Sequence, residues 1–303
     1  MANLEHLAKL KQGASGWLDW LDRNHQPAID LVDANLPNTN LTKVYLVKAN
    51  LINVDLTNSL LRQANLTGAN LSKAELINVD LQGANLTGAN LQSARLIDAD
   101  LAKANLIGSD LRFISAKSAN FYRSNLIGTS IHQANLRFSN FTEANLARAN
   151  LSEAALTKAS FDLAHLSGAN FFEADLQSAS FYRADLYRLS AIATHLSHGY
   201  LFACNLTEAK LIGCDLRWAN LSYANLQNAN LQQAKLRGTN LNRANLTDAN
   251  LRGANLRGAN FTKANLCRAN LEDADIENII FDKANLTETV MPDGTVHSGI
   301  NTK

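Results

Sequence analysis

The sequence is poor in the features that mark secreted, membrane-spanning and nucleic-acid-binding proteins. Only three of its 303 residues are cysteine, too few for a disulfide scaffold. No run of about 18 apolar residues is present that could span a membrane. The charges nearly cancel, with 28 basic against 27 acidic side chains and a formal net charge of +1. This balance argues against a surface built to bind a polyanion.

The N-terminus also lacks the pattern of an export signal. Glu5 and His6 stand where a signal peptide needs an apolar core. Together with the low cysteine content, this predicts a protein of the reducing cytoplasm.

What the sequence has in abundance is a five-residue repeat. From Leu36 to Leu286 every fifth position is Leu, Ile or Phe, except at Ala116 and Ala191. The residue two before this centre position is small, most often Ala, and the residue directly before it is usually Asn or Asp. A period of five fits neither an α-helix nor a plain β-strand. A fixed period of this kind predicts a solenoid.

The repeated unit, seen as Ala-Asn-Leu-Thr-Asp in residues 244–248, resembles the pentapeptide-repeat family. The resemblance implies an all-β solenoid, a right-handed quadrilateral β-helix in which four pentapeptides form the four walls of a 20-residue coil. The centre residue and the residue two before it then point inward, and the other three point to solvent. The repeat is long enough for about 13 coils.

A column of glycines supports the 20-residue coil. Outward positions spaced by multiples of 20 hold Gly68, Gly88, Gly108, Gly128 and Gly168. Because glycine tolerates positive φ, this column predicts one tight turn used repeatedly on one wall.

The expected domain order is a helical N-terminal cap over residues 1–30, a solenoid over 31–291 and a C-terminal tail over 292–303. In the cap, Asn3 should begin a first helix and Ser15 a second, with Trp17 and Trp20 sealing the first coil. The tail should begin with a Pro-Asp-Gly turn at residues 292–294. This ending resembles that of cyanobacterial family members, including the type implicated in heterocyst regulation.

The two alanines at centre positions come with an exchange of size. Ile114 stands two residues before Ala116, and Leu189 two residues before Ala191. The exchange keeps the core volume roughly constant, so we interpret it as local repacking. A bend or bulge that shapes a binding surface is the alternative.

Neither a metal site nor a catalytic site is expected. His195, His198, Cys204 and Cys214 have the atom types of a zinc site, but the register points the histidines outward and the cysteines inward on opposite walls. The cysteines are therefore interpreted as substitutes for alanine. The flat walls offer no pocket, and no phosphate-binding glycine loop lies between a strand and a helix, so we expect no catalytic residue and no cofactor.

A column of asparagines is interpreted in the same structural way. Asn220, Asn240 and Asn260 share one outward position. Turn and ladder hydrogen bonding explains such a column more simply than ligand binding.

One stretch of the outer surface stands out as a candidate partner-binding surface. It combines large apolar side chains with a column of arginines 20 residues apart, namely Phe172, Tyr182, Ile192, Tyr200, Phe202, Ile212, Trp218, Arg217, Arg237 and Arg257. Clustered aromatic residues favour a protein interface. The alternatives are apolar columns that only stiffen a wall and arginines that only form a solvated face.

The sequence therefore predicts a non-catalytic, regulatory scaffold that presents a rigid wall to another protein. We expect a monomer, with neither nucleic acid nor membrane as its partner. Two alternatives remain, a purely structural spacer and a mimic of DNA that modulates DNA gyrase. Some pentapeptide-repeat proteins have the latter activity, but it requires a strongly acidic surface that this chain lacks.

Overall fold

The computed structural model describes residues 2–25 and 27–298. They belong to two compact units, Met1–Asn150 and Leu151–Lys303. No helix within the described residues is long and apolar enough to cross a membrane.

The first unit begins with two short helices. Helix α1 spans Leu4–Leu10, and the Asn3 side chain caps it by accepting hydrogen bonds from the backbone N–H groups of Glu5 (2.9 Å) and His6 (3.3 Å). Helix α2 spans Ala14–Arg23 and begins after Gly13, not at Ser15 as the sequence predicts. The reason is that Gly13 adopts a φ of 95°, which lets the chain turn sharply between the helices, so Ser15 already lies in the first turn.

The two helices pack on the first coil through an aromatic group. Trp17 is fully buried and its indole N–H donates to the carbonyl oxygen of Tyr45 at 2.8 Å. Trp20 stacks on Trp17 with ring centroids 5.3 Å apart. His6 is also buried, and its Nδ1 accepts from the backbone N–H of Asp30 at 3.1 Å. These contacts cover the apolar interior of the first coil.

Both units are built from parallel bridges between residues 20 apart. The bridges run from Asp30–Asn50 to Ser130–Asn150 in the first unit and from Ala155–Asp175 to Asn270–Val290 in the second. One coil therefore contains 20 residues, or four pentapeptides. Within the described residues the bridges are single-residue bridges and not extended strands, because the two residues after each centre form a turn.

Most pentapeptides of both units make the same hydrogen bonds to the next coil. Around Leu66, the centre N–H donates to the carbonyl oxygen of Asn85 at 2.7 Å, and the N–H of Gly68 donates to that of Thr87 at 2.9 Å. Ala69 closes the turn by donating to the carbonyl oxygen of Leu66 at 3.0 Å. The backbone polar groups are thus paired although no regular strand is formed.

The left-handed turn occurs on all four walls, and the expectation of one special wall is wrong. The second residue after each centre has φ between 53°, at Arg183, and 67°, at Gly168. Most of these residues are not glycine; even Leu163 and Trp218 adopt this conformation. It costs an L-residue on the order of 1 kcal/mol. The hydrogen bond from its N–H to the next coil offsets that cost, so the repeat does not require glycine there.

The core is a column of Leu and Phe side chains bordered by small residues. Ile114 and Ala116, and likewise Leu189 and Ala191, are all at most 2% exposed. The bridges continue without interruption at both places, including the N–H of Ala191 to the carbonyl oxygen of Lys210 at 2.8 Å. Local repacking is confirmed, and no bulge accompanies it.

The C-terminal end of the second unit closes with the predicted turn. The N–H of Gly294, whose φ is 81°, donates to the carbonyl oxygen of Met291 at 2.9 Å. The chain then reverses, so that Val296 forms an antiparallel bridge with Val290.

The exchange of size at Leu189 and Ala191 should behave as a coupled pair. Leu189→Ala leaves a cavity and should cost about 2–5 kcal/mol. Ala191→Leu overfills the core and should cost about 1–3 kcal/mol. The double variant restores the regular pattern and should unfold in urea close to the wild-type midpoint. As a control, the exchange is made in the opposite direction at a regular pair, by the double substitution Ala209→Leu/Leu211→Ala. A double variant no more stable than its worse single variant would contradict this account.

Candidate protein-binding surface

Three of the predicted surface residues form a stacked aromatic cluster, here defined as Tyr182, Tyr200 and Phe202. Their ring centroids lie 5.9–6.3 Å apart and their planes differ by 9–16°. Tyr182 and Phe202 are 20 residues apart, so neighbouring coils place them side by side, and Tyr200 precedes the centre residue of the same wall. Tyr200 is 41% exposed, while Tyr182 and Phe202 are half-buried.

A tyrosine and an arginine extend the cluster on one side. The Tyr223 ring lies 5.3 Å from that of Phe202, and the guanidinium of Arg243 lies 5.4 Å from the Tyr223 ring centroid. Tyr223 is 48% exposed. The apolar surface therefore ends at a cation, an arrangement that suits a partner with both apolar and acidic groups.

The second predicted apolar column does not join this cluster. Phe172, Ile192 and Ile212 lie half a coil from the cluster residues, because ten positions of a 20-residue coil separate Phe172 from Tyr182. Phe172 is 39% exposed, and the two isoleucines are half-buried. The two apolar columns thus lie on different walls, as the ten-residue offset between them in the sequence predicts.

Ion pairs occupy two of the three arginines in the predicted column. Arg217 holds the Asp215 carboxylate with two hydrogen bonds, of 2.8 and 2.6 Å. Arg257 pairs with Glu277 and lies 3.5 Å from the carboxylate of Asp275. Arg237 forms no ion pair with any residue that the structure describes.

Trp218 lies beside this column and covers a glycine. A Cβ atom built on Gly238 would lie 2.2 Å from two atoms of the indole ring, so only glycine leaves room for this placement. Trp218 is nevertheless 55% exposed. Next to it is a groove of about 430 Å³, called here the tryptophan groove, lined by Trp218, Arg237, Gly238, Arg257, Gly258, Glu277 and Asn278.

Asp215 is the most deeply placed acidic group of this region, at 8% exposure. Burial by itself would raise the pKa of Asp215, but hydrogen bonds from Arg217 and the charges of Arg217 and Lys235 hold this pKa below its ordinary value. The carboxylate thus stays ionised and keeps Arg217 in place.

The other polar residues singled out in the sequence are structural. The Oδ1 atoms of Asn220, Asn240 and Asn260 accept hydrogen bonds, 2.9–3.1 Å long, from the backbone N–H two residues later. This local turn confirms the simple interpretation of the column and explains why Asn or Asp precedes most centre residues.

The candidate zinc ligands are not brought together. Cys204 and Cys214 are buried, whereas His195 and His198 are exposed. Both thiols are free, and burial raises their pKa far above the ordinary range. Among residues 2–25 and 27–298, no group of three or more His, Cys, Asp or Glu side chains could hold a metal ion.

Comparison with known families agrees with this geometry. The family model for pentapeptide repeats (8 copies) matches residues 29–63, 49–88, 74–112, 94–133, 119–154, 149–187, 200–238, 224–262 and 249–288. The chain belongs to the pentapeptide-repeat family. Residues 188–199, which include the size exchange at Leu189 and Ala191, lie outside the matched segments.

Three solved pentapeptide-repeat proteins illustrate the similarity. HetL from the cyanobacterium Nostoc sp. strain PCC 7120, a protein involved in heterocyst differentiation regulation, is 30% identical over 93% of this chain and 98% of its own, with a TM-score of 0.28. A protein of the Arabidopsis thaliana thylakoid lumen is 33% identical over 34% of this chain and 72% of its own, with a TM-score of 0.32. Rfr23 from the cyanobacterium Cyanothece 51142 is 25% identical over 52% and 90%, with a TM-score of 0.15.

These resemblances rest on sequence and not on superposition, since all three TM-scores are low. A comparison with curated protein sequences gives no match.

Sequence reasoning misses the role of Gly238 and the isolation of Arg237. The 20-residue spacing between Trp218 and Gly238 is a signal that could have revealed the first. The second depends on which carboxylates reach each guanidinium, and Arg217, Arg237 and Arg257 look alike in the sequence.

Asp215 should make the stability of the second unit sensitive to acid. Because its folded-state pKa lies below the unfolded value of about 3.9, its stabilisation is complete at neutral pH and disappears as the pH falls through the folded-state pKa. Asp215→Asn should cost on the order of 1 kcal/mol at neutral pH. Urea unfolding of both proteins should show this difference shrinking below about pH 4. A pH-independent difference would contradict the assignment.

The three free cysteines should differ sharply in reactivity. Cys267 is half-buried, whereas Cys204 and Cys214 are fully buried and their raised pKa keeps them as thiols. Titration of the native protein with a disulfide reagent should therefore modify Cys267 alone, and all three should react after unfolding. A Cys267→Ser variant should not react in its native form, and rapid modification of this variant would show that the inner thiols are accessible.

Proposed function

We propose that this pentapeptide-repeat protein is a non-catalytic scaffold that binds a partner protein through the outer surface of its second unit. The observation that carries the proposal is the aromatic cluster of Tyr182, Tyr200 and Phe202, continued by Tyr223. Aromatic rings grouped on an outer wall are typical anchors of protein interfaces. Because stacking already holds these rings in place, they would lose little further side-chain entropy when a partner binds.

The proposed role is regulatory. HetL is involved in heterocyst differentiation regulation, and we extend a role of this general kind to the present chain. The extension relies on 30% sequence identity across nearly the whole of both chains.

A structural spacer is the second candidate function. The same stacking supports it, because Tyr182 and Phe202 bury part of their surface against each other and against Tyr200. Such a column can stabilise neighbouring coils without any partner. The exposed Tyr200 and Tyr223 favour the scaffold instead, since a purely structural column has no need of exposed rings.

Mimicry of DNA has less support. It needs a strongly acidic surface, whereas this chain carries a net charge of +1. Several outer carboxylates are also neutralised by arginines one coil away, as in the pairs Glu143–Arg123 and Asp248–Arg268, both 2.7 Å apart.

The finer architecture forms part of the proposal. We propose a right-handed quadrilateral β-helix of about 13 coils over residues 31–291, with residues 1–30 as its cap and 292–303 as its tail. The parallel bridges 20 residues apart support the coil, and the contacts of Trp17 with the first coil support the cap. We further propose a cytoplasmic monomer that needs no cofactor; three free cysteines suit a reducing compartment.

Two charges placed in the aromatic cluster should abolish partner binding. In Tyr200→Glu/Phe202→Glu, the carboxylates remove the apolar surface and repel an apolar partner. Proteins retained from a lysate of the source organism by the wild type and the variant would be compared by mass spectrometry. The matched control is Phe138→Glu, which changes a 48% exposed ring of the first unit.

Three possible outcomes of this experiment distinguish the candidate functions. For a scaffold, we expect a protein that is retained by the wild type and by Phe138→Glu to be lost from the cluster variant. The circular dichroism of the cluster variant should match that of the wild type. A lower melting temperature with unchanged bound proteins would instead support the spacer. Retention of every bound protein by a folded cluster variant would overturn the assignment of this surface.

A further inference from the structure

The three-arginine column contains one guanidinium whose charge is left uncompensated. Arg217 is held by Asp215, and Arg257 is paired with Glu277. Arg237 lies between them in the column, is exposed, and forms no ion pair with a described residue. A cation beside paired neighbours is the position where an added anion gains most and displaces no partner of the protein.

A rigid aromatic side chain stands beside this cation. Trp218 packs so closely on Gly238 that a Cβ there would lie 2.2 Å from the ring. The indole is therefore held on one side by backbone, while 55% of the residue remains exposed. A tryptophan placed in this way offers apolar area to a ligand at little cost in side-chain entropy.

The floor of the tryptophan groove is open because a second glycine follows one coil later. No atom lies within 4 Å of a Cβ built on Gly258. The groove has a volume of about 430 Å³, which is sufficient for a few side chains of an extended peptide. Trp218 and Arg237 both line it, so one ligand can contact the two together.

The charges of the groove select a single negative charge. Its ionised lining residues are Arg237, Arg257 and Glu277. Arg257 is paired with Glu277 and lies near Asp275, so the positive charge of Arg237 is the one left without a partner among the described residues. Glu277 would repel a second anionic group, which disfavours a phosphate dianion or a nucleic acid backbone. One carboxylate beside an apolar side chain matches this environment.

We propose that the tryptophan groove binds an acidic peptide segment of the partner protein. An Asp or Glu carboxylate of that segment accepts hydrogen bonds from the guanidinium of Arg237, and a neighbouring apolar side chain lies on the indole of Trp218. This inference rests on the proposed scaffold function and names the chemistry of the partner.

The test uses synthetic peptides and the full-length protein. An array of short peptides with a central Leu-Asp is compared with the same array carrying Leu-Asn, and affinities of the retained peptides are measured by fluorescence polarisation. The wild type should bind a subset of the Leu-Asp peptides at least about tenfold more tightly than their Leu-Asn counterparts. Arg237→Gln should remove this preference, and added salt should weaken wild-type binding.

Matched variants separate the groove from general effects. Arg148→Gln removes an exposed positive charge from the first unit and should leave the preference unchanged. Gly238→Ala should displace Trp218 and abolish binding, whereas Gly213→Ala should not. Gly213 has a similar φ (64° against 66°), but no atom lies within 4 Å of its added Cβ. Circular dichroism and melting temperature establish that the compared variants are folded.

Several results would overturn the inference. They are the absence of any preference for Leu-Asp, its persistence in Arg237→Gln, or its equal loss in Arg148→Gln. A third array with phosphoserine in place of Asp tests the charge argument. Tighter binding of the phosphoserine peptides would show that the groove prefers a phosphate to a carboxylate and would reject this assignment.

Failure of the inference is distinguishable from failure of the proposed function. The variant Tyr200→Glu/Phe202→Glu leaves the lining of the tryptophan groove intact, so it should keep the preference for Leu-Asp peptides. If this variant loses the cellular partner and the wild type shows no preference for Leu-Asp peptides, only the proposal of a peptide-binding groove is rejected. If the wild type prefers Leu-Asp peptides but no cellular partner depends on the aromatic cluster, the assigned interaction surface is rejected and the peptide-binding groove is retained.

Discussion

The hydrogen bonds between successive coils are the constraint on which the rest of this structure depends. In most pentapeptides the centre residue and the second residue after it donate N–H groups to the next coil, as Leu66 and Gly68 do. A chain that keeps both bonds must turn after every five residues and return after 20. Slipping the register would place Asn and Asp in the core and Leu outside, at a large cost in burial.

This constraint explains why the repeat tolerates so many residue types at its turn. The second residue after each centre adopts a left-handed φ because of the hydrogen bonds of its turn and of the neighbouring coil, and not because it is glycine. Outward side chains are consequently free to vary, and chemistry is added to the walls without disturbing the core. Phe113 and Trp218 both occupy this position and remain exposed.

The same coil places side chains in columns, and the columns create the surface features. A spacing of 20 residues brings Arg188 to within 2.7 Å of Glu208 and sets Trp218 against Gly238. At the tryptophan groove the columns are interrupted, by a glycine under an aromatic ring and by an arginine without a carboxylate partner among the described residues. A regular stretch of the column, in which each charge has its partner, offers a ligand much less.

The sequence by itself determined the solenoid, because the five-residue pattern recurs without interruption along the chain. The 20-residue coil and the inward and outward positions came from the resemblance to the pentapeptide-repeat family, with the spacing of the glycine column in support of the coil. The sequence also indicated the repacking at Leu189 and Ala191, since core volume can be compared between residues two apart. Only the tertiary structure decided that α2 begins after Gly13 and that the left-handed turn serves all four walls. It alone separated Arg237 from Arg217 and Arg257, because the pairing of a guanidinium depends on which carboxylates the neighbouring coils bring within reach.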